Sequence, residues 1–232
     1  RLSSRPDCSM ALSGWSATKG GPADVRLRQA VELLRANGTV HVGHLLAPFA
    51  MRYVVVPTRT GAGSTDRQVP PPADLATGLD AQLDLRIVER SASLTVYENM
   101  AWTPIRSALS GPGTLAAHSG SPAAAESVDL STSTPALTTR RGRAWTGPVR
   151  AGEVLVAEAS STAWRLTVDG RAVPRRQAFG WATTFAIDRD GTATLRYVPP
   201  TSVPSLQAVL VIVWLGLLAI AVRFRTHRGP YA

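Results

Sequence analysis

The sequence predicts an α+β fold: a small α/β unit, then an antiparallel β-sandwich, then one C-terminal transmembrane helix. Three observations carry this. Residues 24–98 alternate helical and extended patterns, which implies a small α/β or α+β unit. Residues 135–200 break into short apolar runs separated by turn residues, as in a sandwich or barrel. Residues 206–222, LQAVLVIVWLGLLAIAV, hold no charge.

Residues 1–23 are rich in Ser, Gly and Pro and read as a connector. Asp24 can cap a helix over VRLRQAVELLRANG, with Gly38 after Asn37 as its stop. A second short helix spans Val42 to Ala47. The run RYVVVP is β-branched and unalternating, which predicts a strand over Arg52–Val56 buried on both faces. PADLATGLDAQLDL reads as a helix, and Leu85–Arg90 and Ser93–Glu98 as two strands joined by a tight turn. This first unit covers 24–108. Residues 109–134 collapse to Ser, Ala, Gly, Thr and Pro and read as a linker. The sandwich follows over 135–200, from ALTTR, EVLVAEA, AWRLTV, RAVPR, FGWATTFAI and ATLRYV, with hairpin turns at Asp169-Gly170 and Asp190-Gly191.

The seventeen residues 206–222 span roughly 25 Å as a helix, enough for a short membrane crossing. Counting back gives a span over 203–222, with Pro204 in its first turn. Arg223, Arg225 and Arg228 follow, and basic residues flanking a span favour the cytoplasmic side. The tail 223–232 is therefore expected in the cytoplasm and the body outside it, at the cell membrane. The sequence opens on Arg1 without a signal-peptide pattern, so it is expected to be part of a longer, membrane-embedded protein.

The net charge is +9, nearly all of it arginine, since Lys19 is the only lysine. Basicity raises anionic membranes or nucleic acid as partners. No lysine/arginine block, helix-turn-helix or zinc-finger spacing supports nucleic acid, leaving the lipid bilayer. Cys8 is the only cysteine, which excludes a disulfide scaffold and CxxC chemistry.

The catalytic motifs are weak. Ser16-Ala-Thr-Lys19 matches S-x-x-K but lies in the connector without a K-T-G partner. Gly61-Ala-Gly63 lacks the glycines a phosphate loop needs. Asp188-Arg-Asp190 sits between two strand patterns and reads as a turn rather than a sugar-nucleotide site. Glu153 and Glu158 are an odd number apart on one strand and point to opposite faces. His41 and His44 could share a helix face, but a metal site needs more ligands, and the other histidines, His118 and His227, lie in the linker and beyond the span. The expectation is no catalytic residue, no metal and no cofactor.

Trp145, Trp164 and Trp181 fall in the β-region beside Arg175 and Arg176. Indole faces stack on sugars and guanidinium forks grip phosphates, so these five are the candidate contacts for a glycan or lipid phosphate. The competing expectation is that the tryptophans fill the core.

Taken as a series, LLAPFAMRYVVVP, AQLDLRIVERSASLTVYENMAWTP, AWTGPVRAGEVLVAEASSTAWRLTVDG, AFGWATTF and the final span resemble the C-terminal region of large actinobacterial membrane proteins of glycosyltransferase family 2. The resemblance covers roughly residues 24–225. It implies an extracytoplasmic tail domain with the last membrane helix, without the transferase domain. The matching positions Tyr53, Tyr97, Glu98, Asn99, Trp164, Gly180 and Trp181 look fold-defining. The implied partners are the bilayer, the rest of the same polytopic protein, and a glycan or polyprenyl-phosphate-linked sugar. The alternatives are a membrane-anchored envelope hydrolase or transferase in its own right, or a purely structural or interaction domain.

Overall fold

The computed structural model describes residues 20–59 and 68–198, together with 210, 212–215 and 217. The chain divides into two compact units, 1–196 and 197–232.

Helix α1 (Pro22–Arg35) carries proline in its first turn, and Asp24 lies inside that turn rather than capping it. Proline there forfeits no hydrogen bond, and the carboxylate meets the positive end of the helix dipole. Asn37, not Gly38, takes the left-handed position after the helix (φ 52°), and the Gly38 N–H reaches the Leu33 carbonyl at 2.8 Å. Next come α2 (Val42–Leu46), a 3-10 turn (Ala47–Phe49), β1 (Tyr53–Pro57), α3 (Ala73–Asp80), β2 (Leu85–Arg90) and β3 (Leu94–Asn99). Helices α1 and α3 touch at Gly78, where a Cβ would run into the Leu34 carbonyl oxygen.

Strands β1, β3 and β2 pair antiparallel in that order. The strand expected to be buried on both faces is not so. On β1, Tyr53 and Val55 face solvent, Val55 at 55% exposure, while Val54 and Val56 pack on the helices. An antiparallel strand needs only one covered face. Across this sheet Glu98 bridges two cations, with Arg86 Nη2 at 2.6 Å and Arg52 Nη2 at 3.2 Å. Arg86 first, then Arg52, hold the Glu98 carboxyl below its ordinary pKa.

The predicted linker is folded. After β4 (Arg106–Leu109) come α4 (Gly111–Ser119), α5 (Pro122–Glu126) and a 3-10 turn (Leu130–Thr132). Ser110 and Ser121 cap the two helices, accepting from Gly113 N–H at 3.3 Å and Ala124 N–H at 3.1 Å. Ala116, Ala117, Ala125 and Leu130 are buried with Leu155 and Trp181. Alanine is the best helix former, and its small side chain lets these short helices sit close to the sheet.

The remaining strands are β5 (Thr134–Pro135), β6 (Thr139–Arg141), β7 (Ala144–Val149), β8 (Gly152–Ala159), β9 (Trp164–Val168), β10 (Arg171–Val173), β11 (Arg175–Ala178), β12 (Ala182–Ile187) and β13 (Gly191–Tyr197). They build a central sheet, β11-β12-β8-β4-β5, and an outer sheet, β10-β9-β13-β7-β6. The sandwich therefore takes β4 from within the predicted first unit, because residues 106–109 pair with β8. Val154, Val156, Phe185 and Ile187 share one core with Leu166, Val168 and Leu195 of the outer sheet, while Leu155 and Ala182 join the helical core. Helices, central sheet and outer sheet are thus three layers of one unit.

The β9–β10 turn is Asp169 (φ 48°) and Gly170 (φ 80°), the two-residue left-handed pair that matches strand twist. Asp190 instead accepts the Ala151 N–H at 2.8 Å, tying two loops together.

In the second unit, Leu210, Ile212–Leu215 and Leu217 are helical and exposed. The rest of the expected span 203–222 lies outside the described residues. Among the described residues no helix is long and apolar enough to cross a membrane.

Two predictions follow from the packing and the ion pairs. Phe185, fully buried between the sheets, should lose about 3–5 kcal/mol of stability as Phe185→Ala. Val55→Ala should stay within about 0.5 kcal/mol. Equal losses in urea titrations would contradict the one-sided burial of β1. Because the folded pKa of Glu98 is lowered, its stabilisation is present above the ordinary value of 4.5 and is lost as pH falls below it. Glu98→Gln should therefore flatten the fall of the unfolding midpoint between pH 5 and pH 3, whereas an unchanged slope would remove Glu98 from that transition.

Candidate functional site

The five predicted contact residues do not form one surface. Trp164 is buried between the two sheets, whereas Trp181 lies in the helical core on the other side of the central sheet. The Trp181 ring stacks on Phe49 at 4.3 Å and 14°. Trp145 is half-buried and tilts against Trp164 at 6.1 Å. Arg106 and Arg140 lie over its ring at 4.8 and 5.8 Å. Burial pushes the Arg106 guanidinium pKa down, opposed by the Glu158 charge. Arg175 and Arg176 alternate on β11. Arg175 donates to Ser160 Oγ at 2.5 Å, while Arg176 lines a groove of about 320 Å³ with Arg171, Arg189 and Asp188.

The register of β13 separates two ends of the sandwich. Gly191 lies opposite Val149, and Arg196 opposite Ala144. The groove of Arg171, Arg176 and Arg189 belongs to the starting end of β13. Trp145 and the β6–β7 tip belong to the finishing end, roughly 20 Å away at strand rise. At that tip Arg140, Arg141 and Arg143 are exposed around Gly142 (φ 59°), and Arg196 is exposed beside them.

The acidic candidates serve separate local roles. Glu153 is buried on the helix-facing side of β8, accepting from Thr184 Oγ1 at 2.9 Å, with His118 Nε2 at 3.2 Å. Glu158 is exposed, Asp188 is exposed in a turn, and Asp190 holds the Ala151 N–H. Ser16, Lys19, Gly61, Gly63 and His227 lie outside the described residues.

The densest polar cluster surrounds α2. Three side chains satisfy its first N–H groups. Thr39 Oγ1 accepts from His41 at 2.9 Å, Gln82 Oε1 from Val42 at 2.8 Å, and Asp84 Oδ2 from His44 at 2.9 Å. Asn99 Nδ2 donates to the carbonyls of Gly43 and Met51 at 2.9 and 3.0 Å. The His41 and His44 rings stack at 5.1 Å and 16°. His44 Nδ1 meets the Glu126 carbonyl oxygen at 2.7 Å. One nitrogen from each ring and one Asp84 oxygen all lie within 4.8 Å of one another. In the sequence only the other histidines stand out as further ligands, and the structure brings a carboxylate beside the pair. The third group is a carboxylate forty positions after His44, delivered by the turn into β2, and no local pattern announces it.

No family model matches the chain, and neither the curated proteins nor the solved structures give a match.

Gly43 presses against this cluster: a Cβ there would collide with Asn99 Oδ1 and come within 2.7–2.8 Å of the Asp84 carboxylate. Gly43→Ala should cost about 1–3 kcal/mol by overpacking. Gly111→Ala, with nothing within 4 Å, should be neutral or slightly stabilising. Paired thermal-unfolding curves check both, and a neutral Gly43→Ala would show that α2 can shift.

Proposed function

We propose that this chain is the non-catalytic extracytoplasmic module, with the last membrane span, of a cell-envelope glycosyltransferase. The full-length protein would transfer sugar to an envelope glycan or lipid-linked acceptor. The family part of this reading rests on the resemblance of the motif series. The membrane part rests on one observation, the uncharged run 206–222 followed by Arg223, Arg225 and Arg228.

Within the first unit, the β6–β7 tip carries residues suited to lipid head groups. Each arginine near an anionic leaflet contributes about 1 kcal/mol of attraction, and tryptophan and tyrosine favour the interface. Arg140, Arg141, Arg143 and Arg196, with Trp145, have that composition. The groove of Arg171, Arg176 and Arg189 lies at the other end of β13, and its concave, arginine-lined surface suits anionic groups along a glycan. The alternative of an independent envelope enzyme draws less support, since Glu153, Asp188 and Asp190 are engaged separately or exposed in turns.

Cysteine labelling in intact cells tests the arrangement. On a Cys8→Ser background, Val55→Cys should react with a membrane-impermeant maleimide, and Arg225→Cys only after permeabilisation. The reverse pattern would place the body in the cytoplasm and remove the proposal.

A further inference from the structure

We propose that His41, His44 and Asp84 bind one divalent transition-metal ion of zinc's class. The proposal does not depend on the glycosyltransferase reading.

Asp84 carries the argument. It is 7% exposed. Its Oδ2 accepts the His44 N–H, while its Oδ1 is buried with no hydrogen-bond partner. Among the described residues no arginine or lysine pairs with it. A buried carboxylate in that condition is costly unless a cation completes it. The second orphan is His41 Nδ1, also buried without a partner. Two buried, unsatisfied metal-ligating atoms therefore belong to residues of one cluster.

His44 adds the outer-shell feature of metal-binding imidazoles. Its Nδ1 lies 2.7 Å from the Glu126 carbonyl oxygen. A carbonyl only accepts, so Nδ1 carries the proton and Nε2 keeps its lone pair, as in a histidine prepared for a metal. Glu126 is itself fixed, since its carboxylate accepts from Thr39 Oγ1. Two imidazoles and one carboxylate match zinc and its neighbours, with water in the remaining position. Calcium and magnesium prefer all-oxygen sets.

Binding requires one movement. Ligand atoms about 2.1 Å from a common tetrahedral ion lie roughly 3.4 Å apart, against the 4.8 Å limit here. The two rings are nearly parallel, so their in-plane lone pairs do not converge. His41, whose Nδ1 is unbonded, can turn about its Cβ–Cγ bond, whereas His44 is held by Glu126. The ion would then clamp α2 to the residue preceding β2.

The test uses the full chain in detergent after chelator treatment. Zinc titration by calorimetry should give one site, with a rise in the thermal midpoint that magnesium does not produce. His41→Phe keeps the ring stack and Asp84→Asn keeps an acceptor for the His44 N–H. Each should weaken zinc binding by at least about tenfold, while His118→Phe leaves it unchanged. Cobalt bound to the unmutated chain should show visible ligand-field bands and one protected, paramagnetically shifted imidazole N–H, that of His44 Nδ1. The proposal fails if zinc up to about 100 µM neither binds nor stabilises the chain, if either variant binds zinc like the parent, or if the cobalt form lacks the shifted N–H. Loss of fold in a variant leaves the decision to the cobalt measurement on the parent.

Discussion

The constraint on which the rest of the molecule depends is that its central sheet is covered on both faces. Val154, Leu155 and Val156 on β8 are each essentially inaccessible. The outer two serve the core between the sheets, and the middle one serves the helical core. A slip of one residue would exchange these assignments and turn both cores inside out. The same burial forces polar groups on the sheet to find partners locally. Glu153 takes Thr184, and Thr103 Oγ1 meets Ser107 Oγ at 3.0 Å. The helices over residues 111–126 are therefore not an ornament between two domains. They are the cover without which Leu155, Ala178 and Ala182 would face water.

What the sequence made legible was what its local chemistry decides. The Asp169-Gly170 turn, the β2–β3 hairpin, α1 and most sandwich strands follow from turn residues and periodicity. The errors share a different cause, partners distant in the chain. RYVVVP and EVLVAEA are both apolar and β-branched, yet only the second receives a layer on each side, because the outer sheet and the alanine helices cover its two faces. The segment 109–134 looked like a linker because alanine supplies little apolar area. In a closely packed helix that small volume is the useful property, and Ser110 and Ser121 start the two helices as caps. The tryptophans were legible as candidates for the core. Their separation to opposite faces of one sheet was not, because it depends on β9 and β12 belonging to different layers.

The two ends of the sandwich differ in chemistry for a reason set by connectivity. Arginines abound throughout this chain, so their number at any one place says little. Their position relative to β13 says more. The β6–β7 tip and Arg196 are neighbours by register, and Trp145 is clasped there by Arg106 and Arg140. The indole is thus half-covered by one partly buried cation, Arg106, and one exposed cation, Arg140. At the opposite end, Arg171, Arg176 and Arg189 surround a concave surface rather than an aromatic one, and concavity favours a discrete anionic group over a lipid sheet.

The polar concentration around α2 has its own logic. A five-residue helix cannot hold itself, because nucleation costs more than so few bonds return. Its groups must be satisfied from outside, and Thr39, Gln82, Asp84 and Asn99 do this from three different segments. Gln82 uses its oxygen once and its nitrogen twice, as does Asn99. Both have their oxygen and their nitrogen engaged, and either shows that a neutral side chain can fix the helix. Asp84 does the same capping work with a charged group and leaves one buried oxygen idle beside an idle imidazole nitrogen. Asparagine at position 84 could cap His44 without that electrostatic cost. The negative charge is therefore surplus to holding the helix, and a cation between the two histidines is what accounts for it.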